Sequence, residues 1–305
     1  MKSPLILDIK GNSLDDGPGI RSVIFFKGCP LSCFWCHNPE SKKTQQEIVF
    51  ESGECIACDT CIAVCPEQAL SRDNPFFIDR QKCSLCFSCT ENCPSNALRP
   101  AGSKRRIEDI LSVVMKDKPF FDTSGGGVTF SGGEPTVCMD FLSELARQLR
   151  EKGIHTLIET CGLFDFQRFM ETVYPYIDTI YMDIKLMDDD AHRSFCGVGN
   201  AAILENFKKL FRLYREGGKE ILPRIPLIPE ITDTESNLRE AVRFLKDCGA
   251  EQVSLLPYHP LWQEKNRAIG IDSQLGGKNH MAKFLSREKI DICRSLFTTK
   301  GFTVI

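Results

Sequence analysis

The sequence predicts an α/β fold in which six parallel strands, each followed by a helix, form an open barrel that is interrupted near its start by a small insert. Three observations support this prediction. Short apolar runs alternate with amphipathic patterns over most of the 305 residues. Glycines stand where the predicted helices should end. Between residues 51 and 100, closely spaced cysteines replace the alternation.

The predicted strands are short apolar runs with the composition of buried strands. They cover residues 22–27, 128–130, 155–158, 179–184, 220–226 and 252–256. Amphipathic helices are predicted at 107–118, 140–152, 164–173, 201–216, 235–247 and 287–300, with helix-ending glycines at Gly153, Gly217, Gly249 and Gly301. Because strands and helices alternate, the strands should be parallel and joined by right-handed crossovers. Six units suit a partial (β/α)6 open TIM-like barrel better than the closed barrel of eight.

Polar and metal-binding groups follow or end all six predicted strands, at the edge where parallel barrels carry their chemistry. In chain order they are the Cys29 loop, Gly132-Gly133-Glu134, Glu159-Thr160, Asp183 and Lys185, Arg224, and Tyr258-His259. Six separate segments that deliver such groups to one edge support the barrel more strongly than any single motif.

Composition limits the class of protein. Acids and bases nearly balance at a formal net charge of −3, so nothing indicates nucleic-acid binding. Asp8 and Lys10 interrupt the first apolar run too early for a secretory signal, and no uncharged apolar stretch is long enough to span a bilayer. We therefore expect a cytoplasmic protein that does not associate with membranes.

Sixteen cysteines are many for such a chain, and thiols in these numbers in a reducing compartment usually hold metal. Eleven of them fall between Cys29 and Cys93. The other five are scattered and are expected to be free, mostly buried thiols that pack as small apolar side chains. These five are Cys138, Cys161, Cys196, Cys248 and Cys293.

Three cysteines share one short loop after the first predicted strand, at Cys29, Cys33 and Cys36. Three thiolates on a four-iron cube leave one iron open, and an open iron can chelate the amino and carboxylate groups of a methionine derivative. Zinc, with a fourth ligand such as His37, is the alternative. The spacing of the three cysteines is unusual for zinc pairs.

The insert contains two copies of the Cys-x₂-Cys-x₂-Cys-x₃-Cys-Pro spacing found in bacterial ferredoxins, where the fourth cysteine binds the other cluster. One 4Fe–4S cluster should therefore use Cys55, Cys58, Cys61 and Cys93, and the other Cys83, Cys86, Cys89 and Cys65. Zinc does not commonly bind at these spacings. Clusters with no open iron favour electron transfer to the Cys29 cluster, with docking of a reductase or partner as the alternative.

The chain thus divides into three predicted segments. Residues 1–50 are the start of the barrel, residues 51–100 a ferredoxin-like two-cluster domain, and residues 101–305 the rest of the barrel.

The motifs together resemble the glycyl-radical-enzyme activating family of the radical S-adenosylmethionine (SAM) superfamily, in the type that carries a double 4Fe–4S insert. The resemblance covers nearly the whole chain in the right order. Its residues are Asp16-Gly-Pro-Gly-Ile-Arg21, Phe26, Gly28-Cys29, Cys33, Trp35-Cys36, Asn38-Pro39-Glu40, the Gly125–Pro135 segment, Asp183-Ile-Lys185 and Leu256-Pro-Tyr-His259.

The resemblance implies a reaction. One electron from the reduced cluster cleaves SAM into methionine and a 5′-deoxyadenosyl radical, which removes a Cα hydrogen from a glycine of a partner glycyl radical enzyme. A glycine target is physically reasonable because its backbone, without a Cβ, can approach closely. A flavodoxin or ferredoxin type protein would donate the electron. The family also implies that Trp35, Gly132, Gly133, Glu134, Glu159, Thr160, Asp183, Lys185, Arg224 and His259 lie around the cofactor or the incoming glycine loop.

A monovalent cation beside SAM is a further implication of the resemblance. In the family an Asp-Thr pair and the Asp of the fourth strand bind it. Here the pair is Glu159-Thr160, and the strand residue is Asp183. The longer acid changes the cavity in which a cation would lie.

Two other functions are consistent with parts of the sequence. A radical SAM enzyme acting directly on a small molecule would share the three-cysteine loop, but the Asp16–Arg21 and Trp35–Glu40 segments favour an activating enzyme. A simple ferredoxin-type electron carrier would leave the six strand–helix units unexplained, because such carriers need only a small domain.

Overall fold

The computed structural model describes residues 3–272 and 279–305, and its core is one large mixed sheet. The strands are β1 (Leu5–Ser13), β2 (Arg21–Phe26), β3 (Ile48–Phe50), β4 (Leu98–Pro100), β5 (Ser103–Lys104), β6 (Gly127–Gly132), β7 (His155–Thr160), β8 (Thr179–Asp183), β9 (Glu220–Leu227), β10 (Gln252–Pro257) and β11 (Thr303–Val304). Nine of them form the sheet in the order β11-β10-β9-β8-β7-β6-β2-β1-β5.

The six strands predicted from apolar runs are β2, β6, β7, β8, β9 and β10. They are consecutive neighbours in the sheet, and every pair among them is parallel. This confirms the parallel α/β prediction. Three edge strands were not among the predicted ones: β1 and β5 extend the sheet antiparallel, and β11 extends it parallel at the other edge. Along β1, half-buried and exposed side chains mostly alternate and only Ile6 and Ser13 are buried, so it lacks the continuous apolar run of an inner strand.

Helices connect the inner strands and cover the sheet. They are α1 (Thr60–Ala63), α2 (Ser88–Glu91), α3 (Ile107–Val114), α4 (Lys118–Ser124), α5 (Met139–Glu151), α6 (Phe166–Thr172), α7 (Asp189–Cys196), α8 (Ala201–Arg215), α9 (Glu235–Cys248), α10 (Trp262–Ala268) and α11 (Arg287–Thr298). Each amphipathic helix buries one stripe. In α5 that stripe includes Phe141, Leu142, Leu145 and Leu149, which belong to the main core.

The glycines predicted to end helices lie in the left-handed region that favours glycine, for example Gly153 at φ 70° and Gly249 at φ 85°. One predicted helix differs from the structure. Residues 107–118 form α3 and a short 3₁₀ turn, and α4 begins at Lys118. Pro119 near the start of α4 has no backbone N–H and would clash inside a continuous helix, so a new helix starts there.

Residues 48–100 are tied together by a second, two-stranded sheet in which β3 pairs antiparallel with β4. This segment has its own small apolar cluster, built from Ile48, Leu70, Phe77, Ile78 and Leu98 with Cys61 and Cys89. The two sequence repeats also repeat in backbone conformation. Ala57, Asp59 and Gln68 have positive φ, and so do Leu85, Phe87 and Asn96 at the equivalent positions of the second copy.

The segment contacts the rest of the molecule at α10. The Arg80 guanidinium donates to the carbonyl oxygens of Ile48 and Ala268, and Val49 and Ala101 pack with Ala268 and Ile269. Within the described residues, no helix is long and apolar enough to cross a membrane.

Candidate active site

The three-cysteine loop starts where β2 ends. Gly28 has φ 112°, and a Cβ there would lie 2.8 Å from Thr44 Cγ2, so the turn into Cys29 requires glycine. Backbone bonds fix both ends of the loop. Gly28 N–H donates to the Ser41 oxygen (2.6 Å), and Ser32 N–H donates to the Cys196 oxygen (2.9 Å). The loop is therefore held by segments on two sides.

Two further thiols lie beside the loop cysteines. Cys161, just after β7, donates to the Cys29 sulfur, and Cys196 at the end of α7 donates to the Cys33 sulfur. The bond from Cys196, together with the nearby Lys185 and Lys42, lowers the pKa of Cys33, whereas burial raises the pKa of Cys36 to about 12. The five scattered cysteines are free thiols and three of them are buried, as expected, and two of them also lie beside the candidate site.

Gly132 and Gly133 allow the end of β6 to approach the cysteine loop. A Cβ on Gly132 (φ 105°) would lie 2.5 Å from the backbone of Phe26, and one on Gly133 would lie 2.3 Å from the Gly28 oxygen. Gly133 N–H donates to the Phe26 oxygen and Glu134 N–H to the Gly28 oxygen, both at 2.8 Å. The two glycines therefore lock this turn onto the turn that carries Cys29.

Glu134 is fully buried and accepts four hydrogen bonds from neutral groups. Its donors are Thr136 N–H (3.2 Å), Thr136 Oγ1 (2.7 Å), Thr160 Oγ1 (2.9 Å) and Cys161 N–H (2.7 Å). Thr160 Oγ1 also accepts from Gly162 N–H at 3.0 Å. Glu134 and Thr160 thus join the ends of β6 and β7.

Four charged side chains form one network at the ends of β7, β8 and β9. Arg224 donates from Nη1 to Glu159 Oε1 and from Nε to Asp183 Oδ1 (3.1 Å), and Lys185 donates to Asp183 Oδ2 (3.1 Å). Ser131 Oγ donates to Glu159 Oε2 at 2.6 Å. Burial alone would raise the pKa of Asp183, but Lys185 and Arg224 outweigh burial and hold it below its usual value.

His259 follows β10 and stacks on His37, the residue after Cys36, with ring centroids 3.9 Å apart. Three buried polar atoms of this corner have no hydrogen-bond partner within the described residues: His37 Nε2, His259 Nδ1 and Glu40 Oε2. Burial lowers the pKa of His37 to about 4, so its ring is neutral at pH 7. Because buried polar atoms are nearly always paired, this corner fits a polar ligand.

Trp35 lies on the three-cysteine loop, between Cys33 and Cys36, and its side chain packs in the apolar core that also includes Cys33. It is 4% exposed and belongs to the main core, where its ring faces Phe195 with centroids 6.4 Å apart. The other predicted residues converge on the carboxyl-end edge of the sheet: the three loop cysteines, Gly132, Gly133, Glu134, Glu159, Thr160, Asp183, Lys185, Arg224 and His259.

Comparisons with known proteins agree with this geometry. Residues 78–251 match the Radical SAM superfamily, and residues 15–67 match the 4Fe-4S single cluster domain. The chain is 38% identical to the trans-4-hydroxy-L-proline dehydratase activating enzyme of Clostridioides difficile over 98% of both chains. It is 39% identical to the isethionate sulfite-lyase activating enzyme of Oleidesulfovibrio alaskensis over 89% of both. A radical SAM methyltransferase from Sphaerobacter thermophilus shares the fold (TM-score 0.55, 12% identity, 99% of this chain and 76% of that chain).

The chain belongs to the glycyl-radical-enzyme activating enzymes of the radical SAM superfamily. It is therefore an oxidoreductase that binds SAM and iron–sulfur clusters. It cleaves SAM reductively, and the resulting 5′-deoxyadenosyl radical takes a Cα hydrogen from a glycine of a partner glycyl radical enzyme. The reaction implied by the sequence motifs is thereby confirmed.

In this activating enzyme the Asp16–Arg21 motif lies before β2, at the sheet edge opposite the cysteine loop. Arg21 is completely buried and donates to Thr129 Oγ1 (2.6 Å), the Val128 oxygen (2.7 Å) and the Pro18 oxygen (3.1 Å). A Cβ on Gly19 would lie 2.5 Å from Gly126 N, so the turn requires glycine. The motif closes this edge of the sheet, and Arg21 lies within electrostatic reach of Glu159.

The eight insert cysteines lie close to one another in the 48–100 segment. A small cavity of about 20 Å³ has Cys55, Cys58, Cys61 and Cys93 among its lining residues. Burial raises the pKa of Cys89 to about 11, and the nearby thiols of Cys83, Cys65, Cys86 and Cys61 add to the increase. Within the described residues, no three His, Cys, Asp or Glu side chains form a single-ion site. Thiolates on a four-iron cube lie farther apart, because each binds a different iron.

Sequence reasoning missed four groups of the site: Ser131, His37 as a stacking partner, Cys161 and Cys196. Ser131, His37 and Cys161 each adjoin a recognised motif, and this position in the sequence could have marked them as site residues. Cys196 had none, because it reaches the loop from α7, far away in the sequence.

Proposed function

We propose that Cys29, Cys33 and Cys36 hold a 4Fe–4S cluster with one open iron and that SAM binds over it, at the carboxyl ends of β6 to β10. One observation carries this proposal. The three-cysteine loop lies beside the carboxyl ends of the five strands β6 to β10, and these strand ends bring polar groups of low exposure to the same edge. When bound, the reduced cluster supplies the single electron that splits SAM.

The residues around this position have separate tasks in the proposal. The turn at Gly132 and Gly133 receives the amino end of SAM, Lys185 faces its carboxylate, and the unpaired nitrogens of His37 and His259 face its nucleoside end. Lys185 keeps its proton because Asp183 and the nearby Cys33 raise its pKa despite burial. A charged donor binds a carboxylate more strongly than a neutral one.

The proposal includes three clusters in total, with two in the 51–100 domain on the crossed cysteine sets. Cys58 and Cys86 are exposed, so each set reaches the surface, where a flavodoxin or ferredoxin type donor can dock. Contact with α10 brings this domain near the loop, because Lys265 of α10 donates to Asn38 Oδ1 (3.0 Å) and Glu40 Oε1 (3.1 Å). We propose that these clusters relay electrons to the Cys29 cluster.

Replacing Cys58 with Ser tests the relay. SAM binding should be unchanged, while turnover with a protein donor should slow, and turnover with a small chemical reductant should stay near wild type. Cys248→Ser, a half-buried thiol outside every cluster set, is the matched control. Unchanged turnover of Cys58→Ser with the protein donor would exclude an obligatory relay.

We further propose that the open sheet curves into the partial barrel and that a glycine loop near the carboxyl end of the partner enters it from the carboxyl-end edge. An enclosed interior suits a radical that must be kept from water. The relatives at 34–39% identity act on several partners, so identity alone does not select one.

A direct test of function mixes the reduced, reconstituted protein with SAM and a panel of glycyl radical enzymes, including the one encoded nearest in the genome. The panel should contain hydroxyproline dehydratase, isethionate sulfite-lyase and choline trimethylamine-lyase, because their activating enzymes are similar to this chain. Electron spin resonance should detect a glycyl radical on one partner. Radicals on small molecules alone would favour direct small-molecule chemistry instead.

A further inference from the structure

The charged network between β7 and β9 bears on the monovalent cation that the family resemblance implies. That cation would need oxygens from Glu159, Thr160 and Asp183. Arg224 instead lies between the two acids: its Nη1 contacts Glu159, and its Nη2 contacts Asp183 Oδ1 at 3.1 Å. The side chains of Arg224 and Glu159 are each 10% exposed, so solvent screens the pair little.

The oxygens themselves are already engaged by protein groups. Glu159 Oε2 accepts from Ser131, and Asp183 Oδ2 accepts from Lys185. Thr160 Oγ1 donates to Glu134 and accepts from Gly162 N–H. The residues present therefore do not fit a bound monovalent cation, because a guanidinium lies where its charge would be needed.

Charge repulsion leads to the same conclusion. Glu159 and Asp183, whose side chains are 10% and 22% exposed, face two cations, Arg224 and Lys185, and nearby charges keep both cations protonated. The fully buried Glu134 nearby is held by neutral donors. A further positive ion between Glu159 and Asp183 would lie against the Arg224 guanidinium and would be repelled by it.

The departure from the family's Asp-Thr pair has a geometric reason in the sheet. Glu159 lies on β7 and Arg224 on β9, with β8 between them. Adjacent strands are about 4.8 Å apart, so the two side chains span roughly 10 Å of backbone separation. Aspartate is one methylene shorter and would leave a gap at this position, which is the gap that a small cation could fill.

We infer that the Arg224 guanidinium, held between Glu159 and Asp183, takes the place of the monovalent cation in this chain, so that SAM binding does not depend on sodium or potassium ions. Arg224 is here a positioning residue, since it fixes the two acids beside the SAM site. The inference rests on the proposed SAM site, and the test below checks that site separately.

The test measures the equilibrium dissociation constant for SAM on the reconstituted holoenzyme at constant ionic strength, with potassium or sodium replacing tetramethylammonium, which is too large for the gap. The wild-type constant should change by less than about twofold, whereas a tenfold change in favour of potassium would overturn the inference. If SAM fails to bind in every salt, the proposed function fails instead.

Two variants and one charge-preserving control separate charge replacement from a merely structural role. In Glu159→Asp the acid withdraws from Arg224, and potassium should tighten SAM binding. In Arg224→Gln binding should weaken in tetramethylammonium by about tenfold and recover with potassium. Arg224→Lys keeps the charge and should stay insensitive to potassium. Sodium NMR line widths, which need no activity, should broaden only for Glu159→Asp and Arg224→Gln. If both variants retain iron and neither responds to potassium, the inference is wrong.

Discussion

The two cysteine-rich regions of this molecule differ in what holds them together. The strand-end site lies on a large sheet with an extensive core, and its charged groups are already paired. The 48–100 segment has a two-stranded sheet, two one-turn helices and a small apolar cluster, and two of its cysteines are exposed. The comparison teaches that the fold preorganises the strand-end site, whereas on the proposed assignment the 48–100 segment depends on its clusters for its structure.

The loop cysteines should give the largest functional effect. Cys33→Ala removes one of the three thiolates, so the loop should lose its cluster and SAM cleavage should fall to background. Iron content and 5′-deoxyadenosine formation measure the two effects. Cys248→Ala is the control and should be close to wild type in both. Full activity of Cys33→Ala would disprove the assignment of this loop.

Iron removal should separate the two regions structurally. After chelation, amide hydrogen exchange should become fast across residues 55–93, while β6, β7, β8 and β9 keep their protection. The reason is that burial of the insert's small apolar cluster cannot by itself offset the conformational entropy lost on folding, whereas the main sheet has its own core. Equal loss of protection in both regions would contradict the comparison.

Matched core substitutions test the same contrast through packing. Phe130 in β6 and Phe77 in the insert are both buried phenylalanines, at 0% and 7% exposure. Phe130→Ala should lower the free energy of unfolding of the whole protein by about 3–5 kcal/mol. Phe77→Ala should instead lower the iron content of the insert and leave unfolding of the main sheet unchanged. Anaerobic denaturation and iron analysis decide whether the two substitutions separate in this way.

Mild acid should produce the smallest effect, and only in the main sheet region, because residues 51–100 contain no histidine. Burial lowers the pKa of His192, which is 2% exposed and whose Nδ1 lies 2.6 Å from the Val198 oxygen. The unfolded state therefore binds the extra proton first, and stability is lost as pH falls through about 6.5, by at most about 1.4 kcal/mol per pH unit. His192→Gln should reduce this dependence but not abolish it, because burial also lowers the pKa values of His37, His155 and His259. The dependence is measured as melting temperature between pH 7.5 and 5.5. An unchanged slope would exclude His192 as the source.

Much of the fold was predictable because buried parallel strands are continuous apolar runs. That pattern located β2 and β6 to β10 within a few residues. It did not locate β1, because polar residues interrupt its apolar run and few of its side chains are buried. It also did not locate β11, which is only two residues long. The division of helix 107–118 followed from Pro119, which was visible in the sequence but was not used.

The sequence indicated which residues lie at the candidate site, but it indicated few of the contacts between them. Spacing alone predicted the loop cysteines and the crossed sets of the insert as cluster ligands, and these assignments stay predictions. It could not show that Glu159 reaches across β8 to Arg224, because that depends on which strands are neighbours and on side-chain direction. It also could not show that Cys196 approaches Cys33, since this contact joins segments far apart in the chain.

The most direct test of the account follows one hydrogen atom. A partner glycyl radical enzyme is prepared with deuterium on the Cα of its glycines and mixed with the reduced protein and SAM. The account predicts that deuterium appears in 5′-deoxyadenosine in proportion to the glycyl radical formed. A glycyl radical that forms without deuterium in 5′-deoxyadenosine would contradict direct hydrogen abstraction by the SAM-derived radical.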